Sequence, residues 1–271
     1  MMRYGLIAGN GRFPVLALEN ARKLGHEVVA IGIQEEASRE IEPLAARCHW
    51  ISLGELSRLI DILKSEGITE VMMAGQVKHA KIFSSIRPDW RLLKLLAALP
   101  RKNTDSLIGG VAKVLEVEGI RLTDSTALLK PLLAAAGVMT RRKPSKDEQA
   151  DLEYGRSIAN ALAQWDIGQS VAVSSRACVA VEAMEGTDAM LRRAASLVNG
   201  KPLVLVKVAT RRQHFLFDVP VVGVETIAVM IETGTTALSV DAGRTLMLDR
   251  EELIKRADEV AVTIVGYEAN E

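Results

Sequence analysis

Short β-rich runs alternate with helical periods through the first half of this chain, and that alternation restricts its fold more than any other feature. "RYGLIAG" is an apolar strand, "FPVLALENARKLG" carries apolar residues at helical spacing and stops at Gly25, and "HEVVAIGI" is a second strand. Together they make one βαβ unit. The pattern continues through "HWISL", the helical "LSRLIDILKSEGI", the strand "TEVMMAG", and the helical "WRLLKLLAALP" and "DSLIGGVAKVLEVEG". Strands alternating with helices predict a parallel sheet covered on both faces, so residues 1–137 are expected to form a Rossmann-like domain.

The second half reads differently. "MTRRKPSKDEQAD" is polar, contains proline and is dense in charge, which marks it as the linker candidate. Beyond it come a helix ending at Trp165, the strand pair "SVAVSS" and "ACVAVEA", a helix from Asp188 and the strand "PLVLVKVA". A helix near "VETIAVMIETG", strands in "TALSVD" and "TLMLD", the helix "REELIKRADEV" and a final strand "AVTIVGY" complete it. Hairpins mixed with crossovers predict a mixed-sheet α/β domain over residues 138–271, with no internal repeat and no low-complexity tract.

Charge excludes some partners. The 271 residues carry 34 basic and 34 acidic side chains, so no field draws this chain to nucleic acid or to an anionic membrane. Cys48 and Cys178 are isolated, without a Cys-x-x-Cys pair, which argues against a disulfide framework or a zinc ribbon and suits a reducing cytoplasm. No apolar run reaches the length needed to span a bilayer, and no basic, apolar and cleavage-site succession precedes the first strand.

The chemistry-bearing residues fall in a few places. "GLIAGNGRFP" follows a strand and opens a helix, so Gly9, Asn10, Gly11 and Arg12 are placed to cradle a phosphate. Pro14 stands where a dinucleotide fingerprint needs its third glycine, which counts against NAD but not against a single nucleotide or a diphosphate. His26, His49, His79 and His214 are scattered, and neither a G-x-S-x-G elbow nor a P-loop is present. An enzyme acting on phosphate with this inventory works with carboxylates, lysine and backbone amides, which favours Mg²⁺ or Mn²⁺ over zinc.

"VEAMEGTDAMLRR", residues 181–193, sets Glu182, Glu185 and Asp188 where a strand gives way to a helix. One reading makes Thr187 or Asp188 an N-cap; the other makes the acids a cation site. Lys207 interrupts "PLVLVKVA" on the same strand face as Leu203 and Leu205, near a carboxyl end where a phosphate is well placed, unless it is a strand-end lysine that reaches out to solvent. Asp218 lies between Phe217 and Val219-Pro220, where an ionised carboxylate needs a partner or a metal, unless it only opens a turn.

"GLIAGNGRFP", "AGQV" at 74–77, "DIGQ" at 166–169, "VAVEAMEGTDAMLRR" at 179–193 and "DVPVVG" at 218–223 occur in this order. In that series the chain resembles the UDP-2,3-diacylglucosamine pyrophosphatases of the LpxI type, from lipid A biosynthesis. The resemblance runs essentially end to end and departs in detail after Val77 and at Thr104. It implies metal-dependent cleavage of the pyrophosphate to UMP and 2,3-diacylglucosamine 1-phosphate, by water attacking the sugar-side phosphorus. On this reading Asp218, Asp188 and Glu185 are the catalytic residues, and Asp218 and Asp188 hold the metal. Gly9, Asn10, Gly11, Arg12, Gln76, Val77, Asp105, Gln169, Thr187, Arg192 and Lys207 bind substrate.

The expected partner is therefore UDP-2,3-diacylglucosamine in the cytoplasm, with no nucleic acid, and with room for transient contact at the inner membrane surface and for a homodimer. "WRLLKLLAALP" reads either as a helix packed into its own core or as one that lines an acyl channel between the two domains, with Leu95 and Leu96 as the residues that tell the two apart. Two competing readings stand: a non-catalytic nucleotide-sugar or lipid binder, and a nicotinamide-dependent oxidoreductase, which Pro14 disfavours.

Overall fold

Strand pairing follows the two patterns. The computed structural model describes residues 2–75, 77, 87–99, 104–124, 126–165, 167–209 and 219–268. The chain divides between Leu129 and Lys130 into two units. In the first, β1 (Arg3–Ala8), β2 (Glu27–Ile33), β3 (Arg47–Ile51), β4 (Glu70–Ala74) and β5 (Arg121–Leu122) form one sheet of order β3-β2-β1-β4-β5. Every pairing in it is parallel, and the order is that of a doubly wound Rossmann sheet without its sixth strand. β2 is buried from Val28 to Ile33, as a strand covered on both faces must be. Leu56, Leu59, Ile60 and Leu63 of helix Leu56–Ser65 fill one side against Val29 and Ile31.

The second unit holds a six-stranded sheet of order β6-β13-β11-β9-β7-β8. Its members are β6 (Gly137–Val138), β7 (Ser170–Ser174), β8 (Ala177–Val181), β9 (Leu203–Lys207), β11 (Thr235–Asp241) and β13 (Thr263–Tyr267). β9, β11 and β13 run parallel, while β6, β7 and β8 join antiparallel, giving the mixed sheet. β10 (Val221–Val222) and β12 (Leu246–Met247) form a separate parallel pair. Side chains alternate between two cores. Leu203, Leu205 and Ala172 face helices Thr187–Leu197 and Val224–Glu232, and Val171, Val173, Val204 and Val206 face helix Lys146–Gln164.

The charged stretch expected to be a linker is pinned instead. The Arg142 guanidinium donates to both Glu148 carboxylate oxygens, at 2.8 and 2.7 Å, and to the carbonyls of Thr236 and Ala261. Ser145 caps helix Lys146–Gln164 in a reciprocal box with Glu148. β6, across the expected 137/138 junction, pairs with β13. Dense charge marked a salt-bridged strap, and composition alone does not tell that from a tether.

Candidate functional site

Three side chains from separate segments of the second unit converge on the hydroxyl of a fourth, Thr187. Ser170 opens β7 and is the direct cross-strand partner of Lys207 at the end of β9. Thr187 begins helix Thr187–Leu197, and Glu182 follows β8. Thr187 Oγ1 lies 3.1 Å from Ser170 Oγ, accepts from Lys207 Nζ at 3.0 Å, and donates to Glu182 Oε1 at 2.9 Å. Glu182 and Lys207 are only 7% and 8% exposed, so both charges sit almost out of water. Glu182 Oε2 has no hydrogen-bond partner among the described residues.

The local fold explains why this hydroxyl is available. The N-cap of the helix is Gly186, at φ 83°, and it makes no side-chain cap. The capping reading of Thr187 or Asp188 is therefore overturned: both sit in the first turn, and Thr187 turns its oxygen inward. At Gly168 a Cβ would stand 2.1 Å from the Glu182 carbonyl oxygen, so only glycine lets these two segments touch. The Glu182 amide donates to the Ser170 carbonyl at 2.9 Å, extending the ladder beyond β8.

The other expected residues are distributed more widely. Glu185 is engaged by Arg193 at 2.5 Å and accepts from the Ala183 amide; the guanidinium holds its carboxyl below the usual range. Arg192 reaches away to Glu232, 3.0 Å from each carboxylate oxygen, a pair that raises the guanidinium's own value. Asp188 is half-buried and accepts no hydrogen bond from a described residue. Gln169 offers its carbonyl to the Val208 amide, and its Oε1 is buried without a partner among the described residues. Asp218 and Gln76 lie outside the described residues, as does the side chain of Asp105 in helix Thr104–Val117.

In the first unit, the Gly9 amide donates to the Ala74 carbonyl, and Gly75, at φ 87°, packs where a Cβ would lie 2.4 Å from the Asn10 carbonyl oxygen. Gly11 has φ 95°, and Arg12 is the uncapped N-cap of helix Phe13–Lys23, with an ion pair to Glu19 at 3.7 Å. Beside this turn is an apolar cavity of about 160 Å³, lined by Ile7, Leu56, Leu59, Leu92, Leu107 and Val111, with Val77 also on its wall. Leu95 does not line it. That side chain packs over Gly110, on the side of a groove bearing Trp90, Lys94 and Lys113.

A hard divalent cation needs several oxygen ligands. Among the described residues no group of three or more His, Cys, Asp or Glu is disposed to hold one. Asp188 has open carboxylate oxygens of the right chemistry, whereas Glu185 is committed to Arg193. Sequence reading missed Ser170. The available signal was a second polar residue opening an apolar strand, whose pairing with Lys207 no local pattern reveals.

The family model of the LpxI N-terminal domain matches residues 3–132, and that of the LpxI C-terminal domain matches residues 135–265. A curated protein of Caulobacter vibrioides, named UDP-2,3-diacylglucosamine pyrophosphatase LpxI, is 31% identical over 281 residues, covering 100% of this chain and 99% of that protein. Among solved structures, phosphoribosylglycinamide synthetase from Anaerococcus prevotii aligns at a TM-score of 0.27 and 13% identity, over 64% of this chain and 31% of that one. WbmG of Bordetella bronchiseptica, in complex with NAD and UDP, aligns at 0.28 and 21%, over 43% and 34%. This chain thus spans about a third of either, and at such scores neither carries an argument about it.

Proposed function

The chain belongs to the LpxI family, and on that premise we propose that it hydrolyses UDP-2,3-diacylglucosamine to UMP and 2,3-diacylglucosamine 1-phosphate in lipid A biosynthesis. The observation that carries the proposal is the buried Lys207 ammonium at the carboxyl end of β9. It has three donors, of which Thr187 takes one. The others suit phosphate oxygens, and a site with little water strengthens that attraction.

The reaction needs charge on the phosphoryl oxygens offset, a positioned water and exclusion of bulk solvent. The oxygen of water bonds to the sugar-side phosphorus, the bond from that phosphorus to the bridging oxygen breaks, and UMP leaves with the bridging oxygen. Lys207 holds phosphate oxygens through this change. Asp218 orients the water and accepts its proton. Asp218 and Asp188 together would hold Mg²⁺ or Mn²⁺, which supplies further positive charge to the phosphates when bound. Gly9, Asn10, Gly11 and Arg12 offer a second phosphate-binding turn in the first unit.

The apolar cavity beside that turn suits part of an acyl chain, since each CH₂ removed from water contributes about 0.8 kcal/mol. No helix among the described residues is long and apolar enough to cross a membrane. Work in the cytoplasm, contact with the inner membrane surface and a homodimer belong to the same proposal. Purified protein incubated with UDP-2,3-diacylglucosamine and Mg²⁺ should release UMP, and a chelator should stop the release. Binding without UMP would refute the enzyme in favour of a nucleotide-sugar binder; release that survives chelation would remove the metal.

A further inference from the structure

Glu182 has no part in the hydrolysis as set out above, yet it is the most deeply buried carboxylate of the acidic block. A hydroxyl has one proton and two lone pairs. Thr187 gives its proton to Glu182 Oε1, which leaves both lone pairs as acceptors. One receives the Lys207 ammonium, and Ser170 must therefore be the donor to the other. With every position on Thr187 Oγ1 used, the direction of each bond is fixed, and the carboxylate sets that direction. A carboxylate kept for stability alone would have both oxygens satisfied, and replacing such a buried charge by an apolar group is often neutral. Glu182 instead keeps Oε2 without a hydrogen-bond partner among the described residues while it is 7% exposed.

We propose that Glu182 is the positioning residue of the reaction: through Thr187 it aims the Lys207 ammonium at the substrate's phosphate. The proposal rests on Lys207 being the phosphate-binding group of the reading above. Glu182 does not touch substrate. It fixes the hydroxyl that fixes the ammonium, and a cation misplaced by about 1 Å loses much of its hold on a transition state. The Gly168 contact beneath Glu182 gives the relay a rigid root.

The test is a double-mutant cycle on UMP release, using Glu182→Gln, Lys207→Ala and both together. Gln keeps the size and an acceptor but removes the charge. Glu182→Gln should lower kcat/KM about 10- to 100-fold, and in the Lys207→Ala background it should add no more than about threefold, because residues acting as one unit are not additive. Thr187→Val should match Glu182→Gln, and Thr187→Ser should recover most of what the valine loses. Multiplicative losses in the cycle, an active Thr187→Val, or losses that track melting temperature would overturn the proposal. A wild-type protein that releases no UMP would instead refute the hydrolase reading. Calorimetric titration of the same variants with inorganic pyrophosphate then decides: weakening by Glu182→Gln only where Lys207 is present supports the relay, and weakening regardless of Lys207 defeats it.

Discussion

Asp188 and Glu185 are separated at the residue scale by what each carboxylate is tied to. Asp218→Asn should leave the fold intact and lower hydrolysis by about 100-fold or more, the scale of one electrostatic catalytic group; near-normal UMP release would sink its role. Asp188, with open oxygens, and Glu185, locked to Arg193, should part company. Asp188→Asn should raise the Mg²⁺ concentration for half-maximal rate, and Glu185→Gln should leave it unmoved while costing about 1 kcal/mol of stability. Metal titrations of both variants beside denaturant melts check this. Glu148 adds a pH signature. Burial raises its carboxyl, but bonds from Arg142, Thr236 and the Ser145 amide prevail and hold it at about 2 against an ordinary 4.5. A carboxyl lowered on folding contributes stability above its unfolded value and loses it as pH falls through the folded one. The unfolding free energy should therefore decline between about pH 4.5 and 2, and Glu148→Gln should flatten that decline in denaturant series across the window.

The elements themselves were largely legible, because period-2 and period-3.6 patterns are local properties of the chain. The parallel crossovers of the first unit and the β7–β8 hairpin both follow from the sequence. Contacts between elements were not legible. Thr187 reads as a cap because capping statistics see only its neighbours, while Ser170 and Lys207 meet it from strands that begin 17 residues before and end 20 after. Leu95 read either as core or as the wall of an acyl channel, and its side chain packs over Gly110 and against the core of the first unit. On the function proposed above, the lipid contact belongs to the cavity walls. Val111→Phe, which narrows that cavity, should raise KM for the diacylated substrate several-fold and spare a UDP-sugar without chains. Leu95→Ser should lower stability by about 2 kcal/mol, with no preference between substrates. Steady-state kinetics on both substrates, with melting temperatures, would expose the opposite pattern.

At the scale of the whole molecule the two units differ in how far apart in sequence their sheets close. The last strand of the first sheet is β5, Arg121–Leu122. The second sheet pairs β6, at its beginning, with β13, at its end, and β13 also lies against β11. Removing residues from Thr263 onward should leave the first unit folded and abolish cooperative folding of the second. Amide exchange resolved by peptide would show it: protection retained in β1, β2 and β4, and lost in β7, β9 and β11. Protection kept in both units would mean that β13 is dispensable.

That pairing of first strand with last has a consequence during synthesis. The N-terminal sheet has all its strands once Leu122 has left the ribosome, whereas the C-terminal sheet must wait for Tyr267. Once Asp241 is made and until Tyr267 follows, β11 is finished but has no β13 beside it, presenting an apolar edge of Ala237, Leu238 and Val240 to the crowded space around the ribosome. Unpaired edges of this kind are where nascent chains meet one another or a chaperone. A stall late in translation should therefore be more hazardous for this protein than an early one.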